Sequence, residues 1–393
     1  MKIALAQINT TVADFGGNAM KIREAYWRAA NEGAQVVLFP ELALPGYPPL
    51  DLLDRGDFLS ASEQALEELV RQLSGPPAVV GTIRRNAKNT GKAVHNSAAV
   101  IRDSRVLGYH DKILLPTYDV FDEARYFEPG DLPRPFPLAG RQVGIAICED
   151  LWNPGGKQRL YRRDPGGELK EAGAELILSP AASPFHRQKL TLREGVLESQ
   201  ARQLGMPVLV ANLVGGNTEL IFAGRSVVVT PAGVVARAAS FAEDLLLVES
   251  DALPSPSLNE DSSPEIHETV ASALVLGIRD FFRKCGFERA VIGLSGGIDS
   301  SVTAALACEA LGPEAVRGVA MPSRYSSEGS QTDARELAER FGMPFELIDI
   351  DQVFGAFLET LSASLGGIPQ GVTAENLQPR IRGTVLMAIS NQR

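Results

Sequence analysis

The sequence predicts an α/β protein of two domains, and three observations support this. Short apolar runs rich in β-branched residues alternate with longer segments in which apolar residues recur at helical spacing. The chain has 393 residues, 45% of them hydrophobic, which is enough for more than one core. Residues 251–263 are polar, aperiodic and proline-containing, as expected of a linker. We therefore predict domains at 1–250 and 264–393.

Composition and charge argue against several classes of function. The formal net charge of −10 disfavours binding to nucleic acid or to an anionic membrane surface. The cysteines Cys148, Cys285 and Cys308 are far apart and match neither a disulfide framework nor a metal-ligand spacing. The chain enters a strand pattern without a secretory leader, and no apolar run has the length of a membrane span. We expect a cytoplasmic protein.

The first domain opens with strands and helices in alternation. Residues 2–8 have a strand pattern, and a helix is predicted at about 18–31. Ser60-Ala-Ser-Glu63 matches a capping box, which predicts that the next helix begins there. Further strands are predicted at 78–83, 97–102 and 105–109.

Three predicted strands end close to residues that can do chemistry. Glu41 follows an apolar run, Lys112 follows the strand at 105–109, and Cys148 ends the run that starts at Gln142. A thiol becomes a nucleophile when a base takes its proton, and acyl transfer needs a cation at the developing oxyanion. Each residue alone has an ordinary structural explanation, since cysteine is often a small core residue and strand-end charges are often solvated. Together they favour a catalytic site at the carboxyl ends of the strands.

The contexts of these residues, FPELALPGYP, HDKILLP and GIAICEDLW, resemble the Glu-Lys-Cys triad of the nitrilase (carbon-nitrogen hydrolase) superfamily. The resemblance covers about residues 1–250. It implies an αββα sandwich in which Glu41 is the general base, Cys148 attacks an amide or nitrile carbon, and Lys112 stabilises the oxyanion. With Glu41 available as base, His110 and His186 are expected to be structural.

Two further segments resemble the glutaminase domain of glutamine-dependent NAD synthetases. The resemblance implies that Tyr118 contacts glutamine, that Glu123 supports the lysine, and that Ser183 and Lys189 bind glutamine. Lys189 could pair with the α-carboxylate of an amino acid. It could equally be a solvated residue at the start of a helix.

The second domain begins with a strand that turns into a helix. A helix is predicted before this strand. Ser263-Pro264 is predicted to cap its N-terminus, with Pro264 at the first helical position, and Gly286 lies just past its end. The strand 290–294 leads into the sequence SGGIDSS, where backbone N–H groups at a helix N-terminus can approach a phosphate. The lysine and spacing of a Walker loop are absent, so the charge would be met by hydroxyls, amides and Mg²⁺ on Asp299.

SGGIDSS resembles the pyrophosphate loop of the ATP pyrophosphatases, and this implies an ATP site in a doubly wound parallel sheet. The residues implied to bind ATP are Gly293, Leu294, Ser295, Gly296, Gly297, Ile298, Asp299 and Ser300. Segments 321–330 and 374–383 resemble NAD synthetases, with Asn376 at a position that binds deamido-NAD. The resemblance stops before the family's pattern is complete, so 264–393 is expected to be the N-terminal part of such a domain.

The resemblance implies glutamine-dependent NAD synthesis by a homo-oligomer. Glutamine is hydrolysed at the first site, and ammonia passes internally to the second site. There ATP adenylates deamido-NAD and ammonia displaces AMP, so that NAD, AMP, pyrophosphate and glutamate are formed. Two alternatives stay open at this point: a free-standing amidase with a nucleotide-binding sensor domain, and a scaffold without catalysis.

Overall fold

The computed structural model describes residues 1–88, 90–152, 160–255 and 266–392. The chain divides into two compact units, the first Met1–Ala273 and the second from Leu274 onward. Most of the predicted linker and the Ser263-Pro264 cap lie outside the described residues, so both stay predictions. None of the described helices is long and apolar enough to cross a membrane.

Two six-stranded sheets form the first unit. The first sheet contains β1 (Lys2–Gln7), β2 (Val36–Leu38), β3 (Ala78–Arg85), β4 (Val94–Arg102), β5 (Arg105–Asp111) and the late strand β14 (Asp244–Glu249). The second contains β6 (Phe136–Leu138), β7 (Arg141–Ile145), β8 (Leu176–Ala181), β9 (Val208–Asn212), β12 (Val227–Thr230) and β13 (Gly233–Arg237). A two-stranded ribbon is made of β10 (Val214–Asn217) and β11 (Leu220–Ala223).

Parallel strands lie at the centre of each sheet and antiparallel strands at its edges. The first sheet has the order β14-β1-β2-β3-β4-β5, with β1, β2 and β3 parallel. The second has the order β13-β12-β9-β8-β7-β6, with β7, β8 and β9 parallel. β2 and β7 therefore belong to the parallel part of their sheets, and side chains that follow their carboxyl ends can converge.

Helices cover the outer faces of the two sheets. They are α1 (Phe15–Asn31), α2 (Gly56–Gln72), α4 (Pro165–Glu171) and α5 (Lys189–Leu204), with α3 (Glu123–Tyr126) as a single turn in a loop. Side chains alternate across each strand, so that Ala98 and Val100 of β4 face the second sheet while Ala99 and Ile101 face α1 and α2. This is the expected αββα sandwich.

Two predicted helix starts are corrected by the structure. α1 begins at Phe15 because the side chain of Asp14 accepts a hydrogen bond from the Gly17 amide at 2.9 Å and caps the helix. α2 begins at Gly56, so the predicted capping box from Ser60 lies inside the helix and is wrong. Buried Phe58 extends the apolar face to two residues before Ser60, and tertiary packing overrides the local signal.

The second unit is built on a three-stranded parallel sheet. Its strands are β15 (Ala290–Gly293), β16 (Val316–Ala320) and β17 (Phe345–Leu347), in that order. The helices are α6 (Ile266–Cys285), within which the boundary between the compact units falls, α7 (Ile298–Leu311), α8 (Glu328–Phe341), α9 (Asp351–Leu365) and α10 (Val372–Gln392). Residues of α7 and α8 share one core cluster with the sheet, and residues of α9 and α10 share another. The doubly wound arrangement is confirmed.

Candidate functional site

Glu41, Lys112 and Cys148 meet in the interior of the first unit. Glu41 lies three residues after β2, Lys112 directly after β5, and Cys148 opens a 3₁₀ turn shortly after β7. The Lys112 Nζ lies 2.7 Å from Glu41 Oε1, and both side chains are only 1% exposed. The charges of Glu41 and Lys112 both act on the Cys148 thiol. The structure thus brings the three predicted strand-end residues together.

Two carboxylates hold the ammonium group of Lys112. Its Nζ donates hydrogen bonds to Glu41 at 2.7 Å and to Glu123 at 2.8 Å. Burial lowers the pKa of Lys112, but Glu123 and Glu41 more than offset this and raise it well above its usual value. Burial raises the pKa of Glu123 to about 7, against the opposing effect of Lys112. The site therefore contains a fixed positive charge that solvent does not screen.

Glu41 receives hydrogen bonds on both carboxylate oxygens. Lys112 and the Asn96 amide each donate to Oε1 at 2.7 Å, and the backbone N–H of Ala182 donates to Oε2 at 3.0 Å. Asn96 is the third residue of β4, where nothing in the local sequence marks it as functional. Sequence reasoning missed it for that reason.

The backbone at Cys148 lies in the left-handed region, with a φ of +43°. Such a φ is uncommon outside glycine and costs on the order of 1–3 kcal/mol. Burial raises the pKa of the Cys148 thiol, and the negative charge of Glu41 raises it further while Lys112 opposes the effect. The resting thiol is therefore protonated at neutral pH, and it needs a base to become a nucleophile.

Asp150, another residue whose role the sequence reasoning missed, links the 3₁₀ turn at Cys148 to the segment that follows Lys112. It is fully buried and accepts hydrogen bonds from the backbone amides of Ile147, Ile113 and Leu114, each at 2.9 Å. His110 Nε2 lies 3.1 Å from Asp150 Oδ2. Asp150 thus fixes the segments on both sides of the site, and His110 contacts this carboxylate.

Next to the triad, Lys189 lies buried against aromatic rings. Its side chain is the first of α5 and is 8% exposed, so the alternative of a solvated lysine is wrong. The Nζ lies 5.0 Å from the centroid of the Phe121 ring and 5.6 Å from that of Trp152. Burial lowers the pKa of Lys189, and the charges at Cys148 and Glu149 oppose this. Across the described ranges, its ammonium group forms no ion pair.

The remaining predicted glutamine residues lie in the same region. The Tyr118 hydroxyl donates to Glu149, 2.9 Å from one oxygen and 3.1 Å from the other, and Tyr161 donates to the same group at 2.8 Å. Burial raises the pKa of Glu149. Ser183 is buried, and its backbone N–H donates to Asn212 at 2.8 Å.

In the second unit, the SGGIDSS loop makes a tight turn into α7. Gly296 has a φ of +75°, and a Cβ placed on it would lie 2.4 Å from the backbone oxygen of Ser330. Only glycine fits there without a shift of the loop. The hydroxyls of Ser295 and Ser300 lie 3.1 Å apart, and no side chain caps the N-terminus of α7. The N–H groups of Gly297 and Ser295 donate to the hydroxyls of Ser295 and Ser300 at 3.2 and 3.3 Å, so the N–H groups left for an anion are those at the start of α7.

A cavity of 370 Å³ lies beside this loop, at the carboxyl ends of β15 and β16. Three of the predicted ATP residues line it, namely Gly293, Leu294 and Ser295, together with residues of α10 that sequence reasoning missed, among them Arg382 and Leu386. The other predicted residues, 296–300, form the adjoining turn. Asn376 is exposed on α10 and does not line the cavity.

Asp299 supplies a carboxylate in the first turn of α7. Among the described residues there is no group of three or more acidic, histidine or cysteine side chains that could hold a metal ion. Mg²⁺ in nucleotide sites is usually held by one or two carboxylates together with water and substrate phosphates. The residues present therefore fit a phosphate-bound Mg²⁺ and do not fit an all-protein metal centre.

Comparisons with known proteins identify two families along the chain. The carbon-nitrogen hydrolase family model matches residues 2–253, and the NAD synthase model matches residues 270–393. The glutamine-dependent NAD(+) synthetase of Synechocystis is 42% identical over 99% of this chain and 72% of its own length. The enzyme of Thermotoga maritima is 38% identical over the whole chain and 72% of its own length.

Solved structures give the same result. That of the glutamine-dependent NAD+ synthetase from Acinetobacter baumannii, in complex with ADP, matches the whole chain and 72% of its own at 34% identity, with a TM-score of 0.88. A variant of an amidase of the nitrilase superfamily from Nesterenkonia matches 64% of the chain and 91% of its own at 26% identity, with a TM-score of 0.55.

The fold and the sites define a carbon-nitrogen hydrolase unit joined to an NAD synthase unit. The chain belongs to the glutamine-dependent NAD(+) synthetase family. The predicted family and fold are confirmed, and the similarity along the whole chain favours a synthetase over a free-standing amidase.

Proposed function

We propose that the first unit hydrolyses glutamine at Glu41, Lys112 and Cys148, and that the second unit uses the ammonia to convert deamido-NAD to NAD with ATP. The observation that carries the first half is the buried ammonium of Lys112, held at 2.7 Å by Glu41 and acting on the Cys148 thiol. A fixed cation beside a protonated thiol and a carboxylate provides what acyl transfer needs.

In the proposed reaction, Glu41 takes the thiol proton as the Cys148 sulfur attacks the side-chain amide carbon of glutamine. The carbonyl oxygen becomes an oxyanion, which Lys112 stabilises. The C–N bond then breaks, the proton passes from Glu41 to the leaving nitrogen, and ammonia departs from a thioester. Glu41 next takes a proton from water, whose oxygen attacks the thioester, and glutamate leaves as the thiol is restored.

Charges around the triad favour an α-amino acid substrate. Lys189 is a buried cation without an ion pair in the described part of the chain, and it can bind the α-carboxylate. Glu149, held by Tyr118 and Tyr161, is a buried acid that can bind the α-ammonium. We assign Ser183 to the same binding region and Glu123 to the support of Lys112.

A cysteine of this kind is reactive in a related protein. A variant of the Nesterenkonia amidase, 26% identical to this chain, carries acrylamide joined by Michael addition to its active-site cysteine. The same reagent provides a direct test for Cys148.

For the second unit, we propose that the cavity and the SGGIDSS loop bind ATP. The residues assigned to this site are Gly293, Leu294, Ser295, Gly296, Gly297, Ile298, Asp299 and Ser300. Asp299 would hold Mg²⁺, which would offset phosphate charge when bound. The N–H groups of the turn and the serine hydroxyls orient the phosphates. Asn376, outside the cavity, is assigned to the dinucleotide beyond it.

Two further features, internal transfer of ammonia and a homo-oligomer, are inferred from the family alone. The domain bounds at 1–250 and 264–393 and a cytoplasmic location are inferred from the sequence patterns and stay proposals.

Glutamine turnover tests the proposal. The purified protein should release glutamate and ammonia from glutamine, and Cys148→Ala should not. Hydrolysis of a simple aliphatic amide at a comparable kcat/KM would instead favour an amidase. Assays with and without ATP and deamido-NAD show whether the second unit takes part.

A further inference from the structure

We propose that Asn96 is a positioning residue that gives the two oxygens of Glu41 different tasks. Asn96 holds Oε1 in place together with Lys112, and the proton of the Cys148 thiol is directed to Oε2. The inference rests on the proposed role of Glu41 as general base.

Asn96 lies on β4, on the face of the first sheet that points toward the second sheet. It shares this face with Ala98 and Val100 and is 1% exposed. Its Nδ2 lies 2.7 Å from Glu41 Oε1. An ionised carboxylate can only accept hydrogen bonds, so the amide must present its NH₂ group to Glu41.

Counting donors shows which position on Glu41 is left for a proton. A carboxylate offers about four lone-pair sites, two on each oxygen. Lys112 and Asn96 occupy Oε1, and the backbone N–H of Ala182 occupies one site on Oε2. Within the described residues, these are the hydrogen bonds that reach Glu41. One site on Oε2 remains.

The route of the proton is inferred from this count. The thiol proton moves to Oε2 as the Cys148 sulfur forms its bond to the amide carbon, and the π electrons of the carbonyl move to oxygen. The same proton is then delivered to the leaving nitrogen when the C–N bond breaks. Without the Asn96 amide, Oε1 would compete for the proton and the carboxylate could rotate.

The other end of the Asn96 amide argues against a purely structural role. Its Oδ1 is buried and accepts no hydrogen bond from the described part of the chain. An unsatisfied buried oxygen destabilises a fold, and an apolar side chain of the same shape would avoid that. Asn96 therefore lowers stability at this position while it holds Glu41.

Asn96→Leu tests the proposal by separating activity from stability. Loss of a donor favours the protonated carboxylate, so the acidic limb of the kcat/KM profile for glutamine should move to higher pH by about one unit. The kcat should fall by about 10- to 100-fold. The thermal midpoint should stay unchanged or rise, because the unsatisfied oxygen is removed.

Two further variants serve as comparisons. Asn96→Asp keeps the shape but places a second carboxylate against Glu41, and we expect a larger shift of the acidic limb. Ser97→Ala is the matched control, because Ser97 is the next residue of β4 and donates to Asp111 at 2.6 Å. Its acidic limb should match that of the wild type.

Alkylation of Cys148 by iodoacetamide, followed by peptide mass spectrometry across pH, gives a readout that does not depend on glutamine. The same shift of the acidic limb should appear in the alkylation rate. Both Asn96 variants could instead keep wild-type glutaminase activity and an unshifted acidic limb, with lower thermal midpoints. That result would overturn the role of Asn96 and leave the proposed function standing. Absence of glutamine hydrolysis in the wild type, with the alkylation limb still shifted by Asn96→Leu, would overturn the proposed function and support the role of Asn96.

Discussion

The two candidate sites differ in where their charges come from. In the first unit, Lys112 and Glu41 are buried and compensate each other at 2.7 Å. In the second unit, Ser295 and Asp299 are exposed where the SGGIDSS loop enters α7, whose N-terminus has no side-chain cap. Buried charges are tolerated only with close partners, whereas an anion site can be built from backbone groups and completed by its ligand. Under the proposed function, the protein itself supplies the charges for covalent chemistry, whereas phosphate binding would depend mainly on the backbone.

The comparison predicts that the two sites can be disabled separately. Cys148→Ala should lower glutamine hydrolysis by about 10⁴-fold or more, because no other group can form the thioester. Binding of an ATP analogue should be unchanged, since Cys148 belongs to the first unit. Both are measured on one preparation, by a glutamate assay and by calorimetry. Residual glutamine turnover above a hundredth of wild type would remove Cys148 from the chemistry.

Gly296→Ala makes the reciprocal change. The new Cβ would lie 2.4 Å from the Ser330 backbone oxygen at a φ of +75°, so the loop has to move. We expect binding of an ATP analogue to weaken by about 100-fold, while glutamine hydrolysis stays near wild type. Gly355→Ala is the control, because its Cβ would meet its nearest neighbour, the Arg324 side chain, at 3.6 Å. Equal loss in both variants would show general destabilisation of the second unit.

Glu123→Gln tests whether the ionisation of Glu123 makes the free energy of unfolding depend on pH. The folded pKa of Glu123 is raised from 4.5 to about 7, chiefly by burial. Its stabilising contribution is therefore complete below about pH 4.5 and is lost as the pH rises through about 7. The shift corresponds to about 3 kcal/mol.

Glutamine at position 123 does not titrate. The variant should therefore gain about 3 kcal/mol of unfolding free energy relative to wild type between pH 4.5 and 8. Urea unfolding at a series of pH values measures this, with Glu63→Gln in an exposed pair with Arg85 as the control. A difference that does not change with pH would mean that Glu123 stays ionised beside Lys112 throughout.

The sequence predicted the parts of the sites that follow from local rules. Strand ends and a glycine turn carry Glu41, Lys112, Cys148 and Gly296, and each motif lies within a few residues. Asn96 could not be found in this way, because it is 55 residues from Glu41 and meets it only through the register of the first sheet. The wrong helix start at Ser60 has the same cause, since burial of Phe58 is decided by packing between elements.

Lys189 shares a property with each kind of site. It is a buried charge, as in the first site, but its partner is expected to come from the substrate, as in the second. Its buried ammonium has no ion pair in the described ranges and lies over the Phe121 and Trp152 rings. A charge-assisted hydrogen bond is worth about 1.5–3 kcal/mol. Lys189→Met should therefore raise the KM for glutamine by about 10- to 100-fold and change kcat by less than about threefold. The thermal midpoint without substrate should rise, because a buried charge is removed.

Arg187→Met, an exposed site two residues earlier, is the control and should leave the KM unchanged. A fall in kcat at unchanged KM would place Lys189 in the chemical step and leave glutamine's carboxylate to another group.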